Sequence, residues 1–189
     1  MALGQRPLPV RAHPIVFGTV IFIASETMFF AALFATYYNL KARSMQWPPS
    51  GVHLDMVGPA VGTACLLLSS LATAFALASL RRRLMQRVTV SLYAGILGGI
   101  AYIVDAMHGY ASQSFGLRSG AYGSIYVTMT GFHLLHVVAG VIMLLGLYLG
   151  IRSPAFRVDR NEGAEAISYY WHFVTVMWIG IYCTIYWIR

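Results

Sequence analysis

One carboxylic acid and three imidazoles fall in stretches where water should be absent. Glu26 stands twelve residues into an apolar run of twenty-seven, 14–40, with Phe22, Ile23, Phe29 and Phe30 as its helical neighbours. A charge in the hydrocarbon core costs at least ~2.5–3.5 kcal/mol on insertion scales, so an acid there needs a reason. Two chemistries fit: a proton-active or partner-binding carboxyl, or a protonated glutamic acid hydrogen-bonded to a neighbouring helix. His133 and His136, at i and i+3, share one face of a second run with Tyr122, Tyr126 and Met129. On a third run Ser168, His172, Thr175, Tyr182 and Tyr186 recur at steps of 4, 3, 7 and 4 and also form one face. At 1.5 Å per residue, counted from one side of the runs, Glu26 and His136 both lie at a depth of roughly 21 Å and His172 at roughly 25 Å. The three can therefore meet in one layer. That allows a hydrogen-bonded Glu–His pair, and equally a metal or haem held between histidines of two helices. Hydrogen-bonded histidines are the simpler reading, because a mononuclear metal site wants further ligands than an HxxH pair supplies. Asp105 and His108 share a face near the end of another run and read as an interfacial ion pair.

Helices must carry these residues. The chain has 189 residues, 58% hydrophobic and only 10% charged, with a mean hydropathy of +0.66. A soluble domain is nearer a quarter charged. An ordinary soluble enzyme, a disordered protein and a disulfide scaffold are excluded, which leaves an integral membrane protein. Five apolar runs are legible, at about 14–40, 55–80, 88–108, 122–151 and 165–188. Pro14 suits a helix start, Asp55 an N-cap, and Arg152 with Pro154 closes the fourth run. Only helices and closed barrels satisfy their backbones in lipid, and runs this long fit helices. The fold class is therefore all-α: a polytopic membrane bundle of five transmembrane helices forming one domain over 1–189.

The loops orient it. Arg6 and Arg11, then Arg81, Arg82, Arg83 and Arg87, then Arg152, Arg157 and Arg160 fall on one side; Lys41, Arg43, Arg118 and Arg189 fall on the other. Nine basic residues against four put the N-terminus in the cytoplasm and the C-terminus outside. Arg81, Arg82, Arg83 and Arg87 then sit at the cytoplasmic headgroup layer, where they either contact anionic lipid or only set the topology. Trp47, Tyr37, Tyr38, Tyr186 and Trp187 mark the outer interface, and Tyr169, Tyr170 and Trp171 lie near the inner one. The net charge of +7 does not suggest nucleic-acid binding, because the basic residues are spread over short loops. Cys65 and Cys183 lie inside apolar runs as small core residues rather than a disulfide. No cleavable signal stands out in the polar stretch 1–13. Gly58-xxx-Gly62, Gly95-xxx-Gly99 and Gly146-xxx-Gly150 permit close helix approach. There is no phosphate loop, dinucleotide turn or CxxC, so redox chemistry in this chain would have to be built from transmembrane histidines.

Three ordered segments on three helices then form a recognisable set. Ser25-Glu26-Thr27-Met28-Phe29-Phe30 resembles the Ser-Glu-x-x-Phe-Phe segment of subunit III of the haem-copper oxidases. Gly131-Phe132-His133-Leu134-Leu135-His136-Val137 is similar to that family's Gly-Phe-His-x-x-His-Val segment. Tyr170-Trp171-His172-Phe173-Val174 is similar to its Tyr-Trp-His-Phe-Val segment, and Trp47-Pro48-Pro49 also fits. The resemblance covers about 14–189 and is closest to the five-helix form, which lacks the first two helices of the seven-helix form.

The resemblance implies a non-catalytic packing partner for subunit I, alongside subunits II and IV, in a bacterial plasma membrane. It implies no haem, copper or other metal in this chain, no catalytic residue, and bound phospholipid. His133, His136 and His172 become structural hydrogen-bonding residues. Glu26 becomes the intramembrane carboxyl facing subunit I, near ordered lipid and an oxygen path. The implied role is to stabilise subunit I and support its proton uptake and oxygen access, with cytochrome c favoured as donor and quinol as the alternative. Two positions depart from the family pattern. Family members often carry Asp where this chain has Thr175, and a Gln and an acidic-aromatic pair where it reads Val104-Asp105-Ala106-Met107-His108. The rival readings are the subunit-III-like protein of nitric oxide reductases, a b-type cytochrome anchor using His136 and His172, and a small transporter using Glu26, against which the absence of repeats counts.

Overall fold

The computed structural model describes residues 14–52, 54–153 and 162–188. Five α-helices follow one another: α1 (Pro14–Arg43), α2 (Val57–Arg81), α3 (Met85–Ser112), α4 (Ala121–Arg152) and α5 (Glu162–Tyr182), with α5 continuing into a π-helical turn, Cys183–Trp187. There is no strand among the described residues. Arg6, Arg11, Pro154, Arg157, Arg160 and Arg189 lie outside them, so part of the basic asymmetry does too. Helices α1 to α4 are each long and apolar enough to cross a bilayer. The shorter α5 opens on Glu162 and Glu165 and turns its faces to α1, α2 and α4.

The observed α3 is longer than its apolar run at both ends, because loss of hydropathy does not end a helix. Three residues, Arg82, Arg83 and Leu84, separate α2 from α3. Arg83 takes the left-handed conformation there (φ 58°). Its N–H bonds the Leu80 carbonyl at 2.9 Å and that of Leu84 bonds Ser79 at 3.0 Å, a Schellman closure of α2. At the other end the Ser112 hydroxyl bonds the His108 carbonyl, and Tyr110 reaches Thr130 of α4 at 2.6 Å. Asp55 caps α2 as anticipated, accepting the Val57 and Gly58 amides at 3.0 and 3.1 Å.

Small residues decide how the bundle packs. A Cβ on Gly98 would lie 2.9 Å from the Cys65 carbonyl oxygen, and one on Gly95 would lie 3.0 Å from the Thr73 hydroxyl, so α3 lies almost backbone-to-backbone on α2. Gly58 and Gly62 face Asp105 of α3, whereas Gly146 and Gly150 have nothing within 4 Å. In the middle stands Trp171 of α5, 0% exposed. Its indole fills space left by two glycines: a Cβ on Gly140 would fall 2.5 Å from the ring, and one on Gly99 would fall 2.9 Å from it. The indole N–H donates to the Ser69 hydroxyl at 3.1 Å, and Ser69 donates to the Gly95 carbonyl. One side chain thus touches α2, α3 and α4. Without a hydrophobic driving force between helices in lipid, this kind of close packing holds such a bundle together.

Candidate functional site

Glu26 faces α4. Its Oε2 lies 3.0 Å from His136 Nε2, with both side chains largely shielded (22% and 15% exposed). The other imidazole nitrogen settles the proton count. His136 Nδ1 lies 2.7 Å from the Phe132 carbonyl, which can only accept, so Nδ1 carries a hydrogen. The Glu26–His136 contact therefore holds one proton. Whether it rests on carboxyl or imidazole, the pair is neutral overall, which is how a carboxyl can be carried at depth in a membrane. Aromatic rings enclose it. Phe30 stands edge-on to His136 with centroids 5.2 Å apart, Phe29 stands edge-on to Phe132 at 4.9 Å, and the Tyr170 hydroxyl donates to the His136 carbonyl at 3.1 Å. Glu26 and His136 meet because they lie at equal depths on adjacent helices, as the helical rise predicts.

The other histidines do not join them. His133 is 0% exposed and faces α3 and α5. Its Nε2 donates to the Val174 carbonyl at 3.1 Å and its Nδ1 accepts from the Tyr102 hydroxyl at 3.2 Å. His172 turns to α2, with Nδ1 2.6 Å from the Ser70 hydroxyl and Nε2 3.2 Å from Ser168. The Glu26, His136 and His172 layer that depth alone allows is therefore not formed. An axial pair from His136 and His172 is not presented either, since all four ring nitrogens already have partners on different helices. Rotation about each helix axis, which depth does not report, makes the difference.

Asp105 and His108 are not within ion-pair distance. Asp105 points instead across α2, into the space that Gly58 and Gly62 leave open. Thr175, standing where the family often has Asp, bonds back to the Trp171 carbonyl of its own helix at 3.0 Å. Of the four loop arginines, Arg81 pairs with Glu165 of α5 at 3.0 Å, while Arg82, Arg83 and Arg87 belong to the same helix–helix turn and the first turn of α3. Sequence reasoning missed the partners of these groups: Tyr102 for His133, Ser70 for His172, Ser69 for Trp171, and Thr63, whose hydroxyl accepts from the Trp178 indole at 2.8 Å. One signal was available, the adjacent hydroxyls Ser69 and Ser70 in the apolar run opposite the glycine-rich stretch of α3.

Comparison with known proteins adds to this geometry. The family model for cytochrome c oxidase subunit III matches residues 3–189. Cytochrome c oxidase subunit 3 of Corynebacterium diphtheriae is 33% identical over 196 aligned residues, covering 100% of this chain and 96% of that protein. The protein of the same name from Thermostichus vulcanus is 32% identical, with 90% of this chain and 86% of that protein aligned. The one from Dugong dugon is 35% identical, with 90% and 68% aligned.

Proposed function

The chain belongs to the cytochrome c oxidase subunit III family, and from that premise we propose that it serves as the non-catalytic subunit III of a bacterial haem-copper terminal oxidase. The complex reduces oxygen to water at haem and copper held by partner chains, with cytochrome c as electron donor; the names of its relatives favour cytochrome c over quinol. In this reading the whole chain is one domain of the plasma membrane. Helix α5 and its π-helical turn make a fifth crossing, with the N-terminus cytoplasmic and the C-terminus outside. The chain stabilises subunit I and supports its proton uptake and oxygen access.

The observation that carries the reading is the neutral Glu26–His136 pair between α1 and α4. It joins two of the three segments that mark the family. The charges of loop arginines 82, 83 and 87 lie together at one end of the bundle, where anionic headgroups suit them. His133 and His172 hold helices together rather than ligands.

The test is to tag the chain, extract it gently from its own membranes, and record a visible spectrum with mass spectrometry of what co-purifies. The expected result is a haem-copper subunit I with oxidase bands, all haem staying with that partner once the chains are separated. Haem remaining on the separated chain would overturn the reading and favour the b-type anchor. Glu26→Gln should leave assembly intact and modestly change the catalytic lifetime of the complex; loss of the whole complex would count against the supporting role.

A further inference from the structure

Aromatic rings are sorted by type in this bundle. Around Glu26 and His136 the ring contacts are made mostly by Phe22, Phe29, Phe30 and Phe132. Toward the end where α3 and α5 finish they are made by tyrosine and tryptophan, and they follow one another in a line. Tyr102 of α3 meets Trp178 of α5 with ring centroids 5.0 Å apart. Trp178 meets Tyr182 at 6.4 Å and Tyr182 meets Tyr186 at 5.0 Å, a ladder at steps of four along α5 and its π-helical turn. The Tyr186 and Tyr126 hydroxyls lie 3.2 Å apart. Tyr126 stacks on Tyr122 at 6.2 Å, and Tyr122 meets Trp47, in the loop after α1, at 5.0 Å. At 1.5 Å per residue, Tyr102 lies roughly 15 Å inside the end of α3 at Ser112. The line therefore runs from the interior of the bundle to a surface loop.

Packing alone does not ask for these residue types. Tyrosines and tryptophans that anchor a membrane protein sit against the headgroups, whereas Tyr102, Trp178, Tyr186, Tyr126 and Tyr122 are each 5% exposed or less. Phenylalanine would fill the same space without a polar atom to satisfy. What tyrosine and tryptophan have, and phenylalanine lacks, is ready one-electron oxidation. An oxidised phenol must also release its proton, and the inner end of the line has a base to take it. His133 Nε2 keeps its hydrogen on the Val174 carbonyl, so Nδ1 is the acceptor for the Tyr102 hydroxyl at 3.2 Å. Trp178 needs no base: it can lose an electron and stay a radical cation, with its N–H held on the Thr63 hydroxyl at 2.8 Å. Tyr186 and Tyr126 share a hydrogen bond along which a phenolic proton can shift.

We propose that this line of rings is a path for single electrons between the interior of the bundle and the loop surface, by which an oxidising equivalent is discharged without damage to the chain. A high-potential one-electron oxidant, of the class that oxygen reduction generates, takes an electron from Tyr102. The phenolic O–H breaks, and its proton forms an N–H on His133 Nδ1. Trp178 then gives Tyr102 an electron, and the proton returns from His133 to the phenolate oxygen. The vacancy passes ring by ring to Trp47, where a soluble one-electron reductant such as ascorbate fills it. The oxidant gains one electron, the reductant loses one, and every ring ends as it began. The source of the oxidant rests on the oxidase reading above; the path itself does not.

The test uses the full chain with whatever co-purifies, in nanodiscs. A ruthenium photo-oxidant is tethered at Met45→Cys, a fully exposed position in the loop that carries Trp47, with the half-buried Cys65 and Cys183 replaced by alanine. Tyr102 is replaced by aminotyrosine, which is oxidised more easily than any natural ring and so traps the vacancy at the far end. After a laser flash, the aminotyrosyl radical is read by transient absorption and by electron paramagnetic resonance of frozen samples. The radical is expected to form at position 102, and Trp178→Phe or Tyr126→Phe should each lower its yield at least tenfold. Phe115→Leu removes a ring that touches Tyr122 and Tyr126 but is not itself oxidised, and it should leave the yield unchanged. No radical at position 102 in the otherwise unaltered path overturns the proposal, whether or not the variants fold. A yield that Trp178→Phe and Tyr126→Phe leave unchanged overturns it too. So does an equal loss in Phe115→Leu, which would assign the effect to packing.

Discussion

In an apolar eighteen-residue stretch of α1 only 6% of the residues are buried, against 33% in the corresponding stretches of α2 and of α3. The contrast follows from side-chain size. Along α2 and α3, Gly, Ser and Thr let two backbones approach, and Gly58, Gly62, Gly95 and Gly98 each meet an atom of the partner helix. Along α1 the side chains are mostly large. Only Phe30 and Tyr37 are buried, and Phe17, Val20, Ile21 and Met28 are exposed. A few separated ties hold α1: Glu26 to His136 at depth, Tyr38 to Thr184 at 3.3 Å, and Lys41 to the Ile188 carbonyl. Backbone-close packing on glycine therefore joins α2 to α3, while α1 is attached by polar ties, by the buried Phe30 and Tyr37, and by Phe34 seated over Gly180 of α5. The uncovered apolar face of α1 is left for lipid or another subunit.

Variants on either side of this contrast should differ in size and in place. The largest effect is expected from Trp171→Ala, which empties the space between Gly99 and Gly140 and removes the donor to the Ser69 hydroxyl. Truncating a buried Trp costs about 3–5 kcal/mol. A loss of stability of that order, read as a lower thermal midpoint of the purified protein, should be accompanied by faster hydrogen exchange across α2 to α5. If Trp171→Ala proves no worse than variants of α1, the bundle is not held as described.

Next comes His136→Ala, which leaves Glu26 in α1 without its partner. A buried polar group left unpaired costs about 1–3 kcal/mol. Exchange should quicken along α1 while α2 and α3 stay protected; equal loosening of all the helices would erase the distinction. Smaller still is the coupling itself. A double-mutant cycle of Glu26→Gln with His136→Gln should give about 0.6 kcal/mol, and no more than about 1.7, the range found for hydrogen bonds in membrane helices.

The smallest effect is one of pH and touches only the start of α2. The Val57 and Gly58 amides lower the Asp55 pKa, so the folded state prefers the ionised form. That contribution is fully present above the unfolded value near 3.9 and is lost as pH falls through the lower folded value. Amide exchange at Val57 and Gly58 should rise below about pH 4 in the wild type and stay flat in Asp55→Asn, whose side chain caps at any pH. A similar rise in Asp55→Asn would assign it to another group.

Hydropathy and helical rise were enough to count the five helices and set their order, and to put Glu26 at the depth of His136. The residue type at Asp55 gave the cap, and the resemblance of three short segments pointed to the family. Each of these depends on properties that run along the chain: apolarity, spacing and local hydrogen bonds. The extra turns at both ends of α3 were hidden, because polar residues such as His108 and Ser112 continue a helix when their backbone is still bonded. The face each helix turns inward was hidden too. His172 shares a depth with Glu26 but points to Ser70, and Asp105 shares a helix face with His108 but points to Gly58 and Gly62. Rotation about a helix axis is set by where neighbouring helices leave room, and that room is made by glycines distant in the sequence. Depth was therefore legible from the residues alone. Partnership, and with it the neutral pair and the Trp171 keystone, arose only when five helices were packed against one another.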